Sequence, residues 1–365
     1  MDILTSLKKE TDYSTTQLQL IFGAWVLSSL FEKNGGKVSI DNGDVEETDY
    51  DKRSVYSLLY SLYRAMGVVK CDKGEPYEFT FNTWGYAWPE TWGTRPTLAT
   101  DPQRFGRNAY SGLFEFPAVK EFIHGKNGQV HVVEMGCGTG AGAYHVCMNV
   151  LPDCTYEAVD MQQTAILTAQ RKFVPQTGGR LVATCADCTE VPIADGVADI
   201  VVVCETHVTE HGGEVSPEDK LFLGQINRLL KPGGYMVWGN AIPDNTWQPC
   251  FDHLESIGMR VVESRDVTAQ AITARDEDAQ RAIAYVDQCC EKFWGFRIPV
   301  LGRKRRLQAE LALKNFYRHP GTNLYANMED GTDTYKVVCV QKEGYPQDPS
   351  TLSVARATPP WQAHP

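Results

Sequence analysis

The densest group of proton-transfer side chains in the sequence is Cys204-Glu205-Thr206-His207-Val208-Thr209-Glu210-His211, with two histidines and two glutamates within seven residues. Imidazole titrates near neutrality, and burial lifts a carboxyl into the same range, so Glu205, His207 and His211 are each candidate general bases. A strongly nucleophilic acceptor would need no base at all. His207 and His211 stand four apart and can converge on a metal, but no third ligand is placed beside them, and no metal is expected. The second chemical stretch runs His131-Val132-Val133-Glu134-Met135-Gly136-Cys137-Gly138-Thr139-Gly140. Its alternating glycines let backbone approach a ligand with no Cβ in the way. On its own such a loop suits a dinucleotide phosphate or a nucleoside equally.

Four features separate the two. Glu134 lies two residues before Gly136, and a carboxylate there suits a cationic ligand better than a phosphate. Asp160 ends the next strand-like run, where it can accept from both ribose hydroxyls, in either kind of site. Asp187, in Cys185-Ala186-Asp187-Cys188, follows a third run and can accept from an adenine amino group. Finally, Leu229-Leu230-Lys231-Pro232-Gly233-Gly234 ends a helix, turns and opens another strand, in the order that a fifth strand requires.

Together these stretches resemble the class I S-adenosylmethionine-dependent methyltransferases, over residues from about 129 to 342. The resemblance implies an α/β fold with a doubly wound seven-stranded sheet, its last strand antiparallel, and S-adenosyl-L-methionine as cofactor. It places Gly136, Gly138 and Gly140 on the methionine side with Glu134 nearby, Asp160 on the ribose and Asp187 on the adenine. Cys137, Met161, Cys188 and Cys204 share those motifs and complete the implied cofactor-binding set. Plant-type O-methyltransferases carry a catalytic histidine just after the fourth strand, where His207 stands without their His-Asp-Trp context. Some bacterial C-methyltransferases carry a catalytic glutamate at the end of that strand, and Glu205 resembles it.

The elements that must position these residues follow from hydrophobic periodicity. Strands are expected at 130–135, 155–160, 181–185, 198–204, 234–239, 259–264 and 335–341, with helices between most of them. Ser264–Thr268 and Thr334–Gln341 fit the sixth and seventh strands of the family. Before the sheet, Leu18, Ile21, Phe22, Trp25 and Val26 and then Val55, Leu58, Leu59, Leu62 and Met66 fall at helical spacing, the second set ending at Gly67. A short hairpin through Val68-Val69 and Tyr77–Phe81 follows. This layout is similar to the helical, winged-helix dimerisation domain of plant-type small-molecule O-methyltransferases, which implies a homodimer. The expected division is 1–95 for that domain, 96–128 for connecting helices, 129–343 for the methyltransferase domain and 344–365 for a flexible tail. Trp84, Trp88 and Trp92 lie in a connector and read as packing. Residues 268–330 form a helical insertion holding the basic run Gly302–Arg306. That run reads as a solvated helix start or an anion site. The aromatics Phe293, Trp294, Phe296, Phe316 and Tyr317 around it suggest a lid over an apolar substrate or a subunit contact.

A net charge of −11 over 365 residues argues against an extended nucleic-acid surface. No apolar run is long enough to cross a membrane and no secretion signal opens the chain, so a cytoplasmic protein is expected. The 11 cysteines are an odd count scattered through apolar runs, and most read as free and buried. Cys185 and Cys188 have CxxC spacing without a second ligand pair. The reading is methyl transfer to a small-molecule, secondary-metabolite acceptor at oxygen, carbon or nitrogen. Its rivals are a non-methylating relative that binds S-adenosylmethionine, a winged-helix DNA-binding regulator, and an NAD oxidoreductase.

Overall fold

The computed structural model describes residues 59–60, 62–64, 66–70, 76–81, 83–206, 214–294, 310–311 and 313–344. His207, His211, the 302–306 run, Phe296, the tail and most of the N-terminal section lie outside the described residues, as do the side chains of Phe293 and Trp294.

Two short strands, β1 (Val68–Lys70) and β2 (Pro76–Glu78), pair antiparallel as the expected hairpin. Helical residues precede it, with Leu59, Leu62 and Met66 buried, and Gly67 closes them with a left-handed φ of +59°. Helices α1 (Arg104–Gly112) and α2 (Pro117–Gly125) then lead into the main sheet.

The sheet contains β3 (His131–Met135), β4 (Thr155–Asp160), β5 (Leu181–Cys185), β6 (Ala198–Cys204), β7 (Leu230–Pro243), β8 (Met259–Asp266) and β9 (Asp333–Lys342). Their spatial order is β5-β4-β3-β6-β7-β9-β8, and β9 runs antiparallel to both neighbours. This is the seven-stranded arrangement expected from the sequence. Every residue of β6 is buried, as a central strand covered on both faces requires. At about 1.5–3 kcal/mol for each large apolar side chain removed from water, β6 is a principal stabiliser of the fold.

Strand β7 is longer than expected. The Lys231-Pro232-Gly233-Gly234 turn is absorbed into it, at a register shift opposite Ala198 and Ile200. Gly233 takes a φ of +78° there, and Lys231 reaches Asp199 Oδ2 at 2.9 Å.

Further helices cover the sheet: α3 (Ala141–His145), α4 (Gln163–Lys172), α5 (Pro217–Leu229) and α6 (Asp244–Ser256). The start of α5 shows how locally the chain is specified. Ser216 caps it by accepting from Asp219 N at 2.9 Å, and Pro217 opens the first turn. The insertion supplies α7 (Thr268–Trp294), whose 27 residues make a rod of about 40 Å, and the short α8 (Asn323–Glu329). Strand order reverses between β3 and β6, so the crevice beyond their carboxyl ends is where an open α/β sheet binds its ligand.

Candidate active site

The glycine loop leaves β3 at that crevice. Gly136, Gly138 and Gly140 have φ of +83°, +54° and +79°, a region disfavoured for residues with a Cβ. A Cβ on Gly136 would lie 2.1 Å from the Thr206 side chain, and one on Gly138 would lie 2.9 Å from the Tyr60 hydroxyl. Gly140 initiates α3. Asp160 ends β4 against this loop, 7% exposed, and its oxygens accept from Gly138 N and Gln162 N, each at 2.8 Å. Burial pushes its carboxyl up to about 6, although both backbone bonds pull the other way. Further lone pairs on each oxygen can accept ribose hydroxyls. The positive-φ cradle and the carboxylate at its floor fit a nucleoside with a compact polar substituent, as S-adenosylmethionine is.

Glu134 sits deeper than its place in the motif suggests. It is fully buried, and its oxygens accept from Tyr110 Oη at 2.8 Å and Tyr156 Oη at 3.0 Å. Strand alternation turns it toward the layer holding α1 and α3, beneath the loop. Burial lifts its carboxyl to about 7 against the two tyrosine bonds. Asp187 is half-buried, and its Oδ1 accepts from Thr189 N at 2.9 Å and Thr189 Oγ1 at 2.8 Å, closing a turn after β5. Cys137, Cys188 and Cys204 are buried free thiols, and Cys185 is exposed and free. Cys185 Sγ donates to the carbonyl of half-buried Met161 at 3.5 Å.

Glu205 ends β6 with a strained φ of +50°. Its Oε1 accepts from Thr83 Oγ1, from Gly85 N at 3.2 Å and from Tyr335 Oη at 2.8 Å, and its Oε2 accepts from Trp84 N at 3.0 Å. The segment around Trp84 is thereby clasped across the crevice as a strap. Thr139 Oγ1 donates to Thr80 O at 2.6 Å, tying the strap to the glycine loop. Trp84 Nε1 donates to Phe316 O at 2.9 Å, Ala87 N to Gln270 O at 2.9 Å and Arg275 Nη2 to Trp84 O, tying it to the insertion. The Arg318 guanidinium stacks 4.0 Å over the Trp84 ring.

Beneath the strap, beside Glu205, lies a cavity walled by Tyr77, Phe79, Phe81, Trp84, Phe105 and Tyr317. Phe316, which the sequence also singled out, lines it too. Arg275, Asp278, Arg281 and Tyr285 enter from α7. These four were not singled out from the sequence. The available signal was their spacing of three, three and four, which puts them on one helix face. Tyr77, Phe79 and Phe81 alternate as a strand does, and the alternation that marked a hairpin also aims them at one side.

With this geometry in view, a protein-family profile described as a methyltransferase domain matches residues 132–234, from β3 into β7. Residues 132–234 carry a methyltransferase domain. Its activity is methyl transfer to a small molecule, with S-adenosyl-L-methionine as cofactor. The phthiotriol/phenolphthiotriol dimycocerosates methyltransferase of Mycobacterium tuberculosis is 24% identical over 267 residues, 73% of this chain and 86% of that protein. The fatty-acid O-methyltransferase of Mycolicibacterium smegmatis is 24% identical over 205 residues, 56% of this chain and 70% of that one. Among solved structures, the cyclase SpnF superposes with a TM-score of 0.51 at 14% identity, covering 80% of this chain and 96% of that one. At that identity the likeness shows a shared fold. In the methyltransferase domain, no helix among the described residues is long and apolar enough to cross a membrane.

Proposed function

We propose that this methyltransferase acts on an apolar, partly aromatic metabolite of secondary metabolism, seated in the cavity between the strap and α7. The supporting observation is the aromatic cavity that adjoins Glu205, which follows β6 at the switch point of the sheet. The relatives named for a phthiotriol dimycocerosate and for a fatty acid favour the same chemistry of acceptor.

When bound, S-adenosylmethionine supplies an electrophilic methyl on a sulfonium. Gly136, Cys137, Gly138 and Gly140 would hold its amino-acid end, with Glu134 supporting the loop from below through Tyr110 and Tyr156. Asp160 and Met161 would hold the ribose, and Asp187 and Cys188 the adenine. Cys204 and Glu205 would face the reacting end. The strap excludes water and holds the acceptor in line. Glu205, engaged by four donors, serves there as the strap's latch. Where the acceptor needs deprotonation, the base is His207 or His211, which follow Thr206 in sequence. The N-terminal section pairs subunits into a homodimer in the cytoplasm.

The test is formation of S-adenosylhomocysteine from S-adenosylmethionine across a panel of phenolic, acidic and aliphatic acceptors, followed by mass spectrometry. A methylated acceptor is expected from at least one apolar class. Tight S-adenosylhomocysteine binding with no methylated product from any acceptor would overturn methylation in favour of a non-methylating role. His207→Ala or His211→Ala should lower kcat by roughly 10²–10⁴ when a base is required.

A further inference from the structure

Arg275 sits on α7 with 8% of its surface exposed, at the wall of the aromatic cavity. Among the described residues no carboxylate lies within ion-pair distance of it, and its Nε has no hydrogen-bond partner. The charged groups around it are already engaged. Asp278 Oδ1 accepts from Arg281 Nε at 2.7 Å and from Arg281 Nη2, Glu205 holds the strap, and Arg318 pairs with Asp333 at 3.1 Å. A further polar atom left over at this cavity is a donor as well. Arg281 Nη1 has no partner among the described residues. The carboxylates nearest Arg275, those of Asp278 and Glu205, favour its charge but are bonded to other donors, and buried donors are seldom left without an acceptor. Arg281, whose guanidinium stacks 4.1 Å over the Tyr77 ring, joins the cationic edge to the aromatic wall.

We infer that the acceptor carries a carboxylate on an aromatic or apolar body, and that Arg275 is the residue that binds this anion. Arg281 Nη1 completes the acceptor-seeking edge, and the phenyl and indole faces hold the body. A guanidinium presents paired donors that match the two oxygens of a carboxylate. A site built to satisfy such donors rejects the neutral analogue that leaves them unpaired. The inference rests on the methyltransferase reading above, and names the class of molecule for that same cavity.

The experiment compares cinnamate with cinnamamide, and decanoate with decanamide, by calorimetry on the full-length protein, with and without S-adenosylhomocysteine. At least one acid is expected to bind about tenfold or more tighter than its amide. Arg275→Gln should bring the pair to within about twofold, while Arg275→Lys should keep part of the preference. A folded Arg275→Gln protein is recognised by unchanged S-adenosylhomocysteine affinity. Should that variant open the strap, the wild-type acid-to-amide ratio and the Arg275→Lys protein still decide the matter. Equal binding of acid and amide, binding of neither, or a preference that survives in folded Arg275→Gln would each overturn the assignment. Failure of S-adenosylhomocysteine to bind would instead strike the methyltransferase reading, and the acid-to-amide comparison without it stands apart from that result.

Discussion

At Glu205, four hydrogen bonds converge on one carboxylate just past the fourth strand of the sheet, and they support the role of latch proposed for it. The sequence placed it among three candidate bases because its type and position suit proton transfer. Its partners arrive from Thr83, Trp84, Gly85 and Tyr335, at sequence distances that no local pattern encodes. Glu205→Gln puts an amide donor against existing donors and should cost about 2–4 kcal/mol of stability, read by thermal or urea unfolding. Its residual activity should keep the wild-type pH–rate profile. Loss of the acidic limb in that variant would restore Glu205 as the base.

Glu134 makes a second residue-level prediction. Burial pushes its carboxyl up to about 7 in the folded protein, from an ordinary 4.5. Between those values the folded state holds a proton that the unfolded chain has released, so stability falls as pH rises through the window. Asp160, raised to about 6, acts in the same direction, and His145, lowered to about 4 by burial, acts in the opposite one below about 6.5. From pH 5 to pH 8 the wild type should lose about 2–3 kcal/mol more than Glu134→Gln, by chemical denaturation at each pH. Parallel pH profiles for the two proteins would refute it.

Elements were legible where one periodicity dominated. The runs at 155–160, 181–185 and 198–204 match β4, β5 and β6; β6 is buried throughout, and the edge strand β5 alternates buried and exposed residues over its first three positions. Strand β7 extends past the expected 234–239 at both ends: the Lys231–Gly234 turn persists as an unpaired bulge between Leu230 and Tyr235, and pairing with β9 carries the strand on to Pro243. The strap was read as connector and aromatic packing. Tyr86, fully buried against Tyr335 and Trp92, does pack. Its hydrogen bonds to the glycine loop, β6 and α7 depend on tertiary placement alone. The same tightness makes the loop intolerant. Gly136→Ala adds a Cβ 2.1 Å from Thr206 at a φ of +83°, and S-adenosylhomocysteine affinity should fall at least about tenfold by calorimetry.

Across the whole molecule, the proposed sites for cofactor and acceptor share one crevice, bordered by the glycine loop from β3 on one side and by the strap and α7 on the other. A ligand that bridges loop and strap binds only the folded chain. S-adenosylhomocysteine at about 100 times its Kd should therefore add about 2.7 kcal/mol of stability, seen as a higher Tm. An unchanged Tm at that saturation would argue against the crevice as its site. The sheet was readable in sequence because each strand carries its own pattern. The cavity was not, because its walls come from a hairpin, α1, β6, the insertion helix and Phe316-Tyr317, and nothing in any one of these announces the others.

The setting of Trp84 also makes the molecule its own optical instrument. The indole has a guanidinium across its face at 4.0 Å, gives its N–H to a carbonyl, and forms part of the cavity wall. Its emission should change when that space fills. The sequence has eight tryptophans, so the signal is isolated by subtracting Trp84→Phe from wild type. An acid entering the cavity would then be followed in real time, without label or turnover.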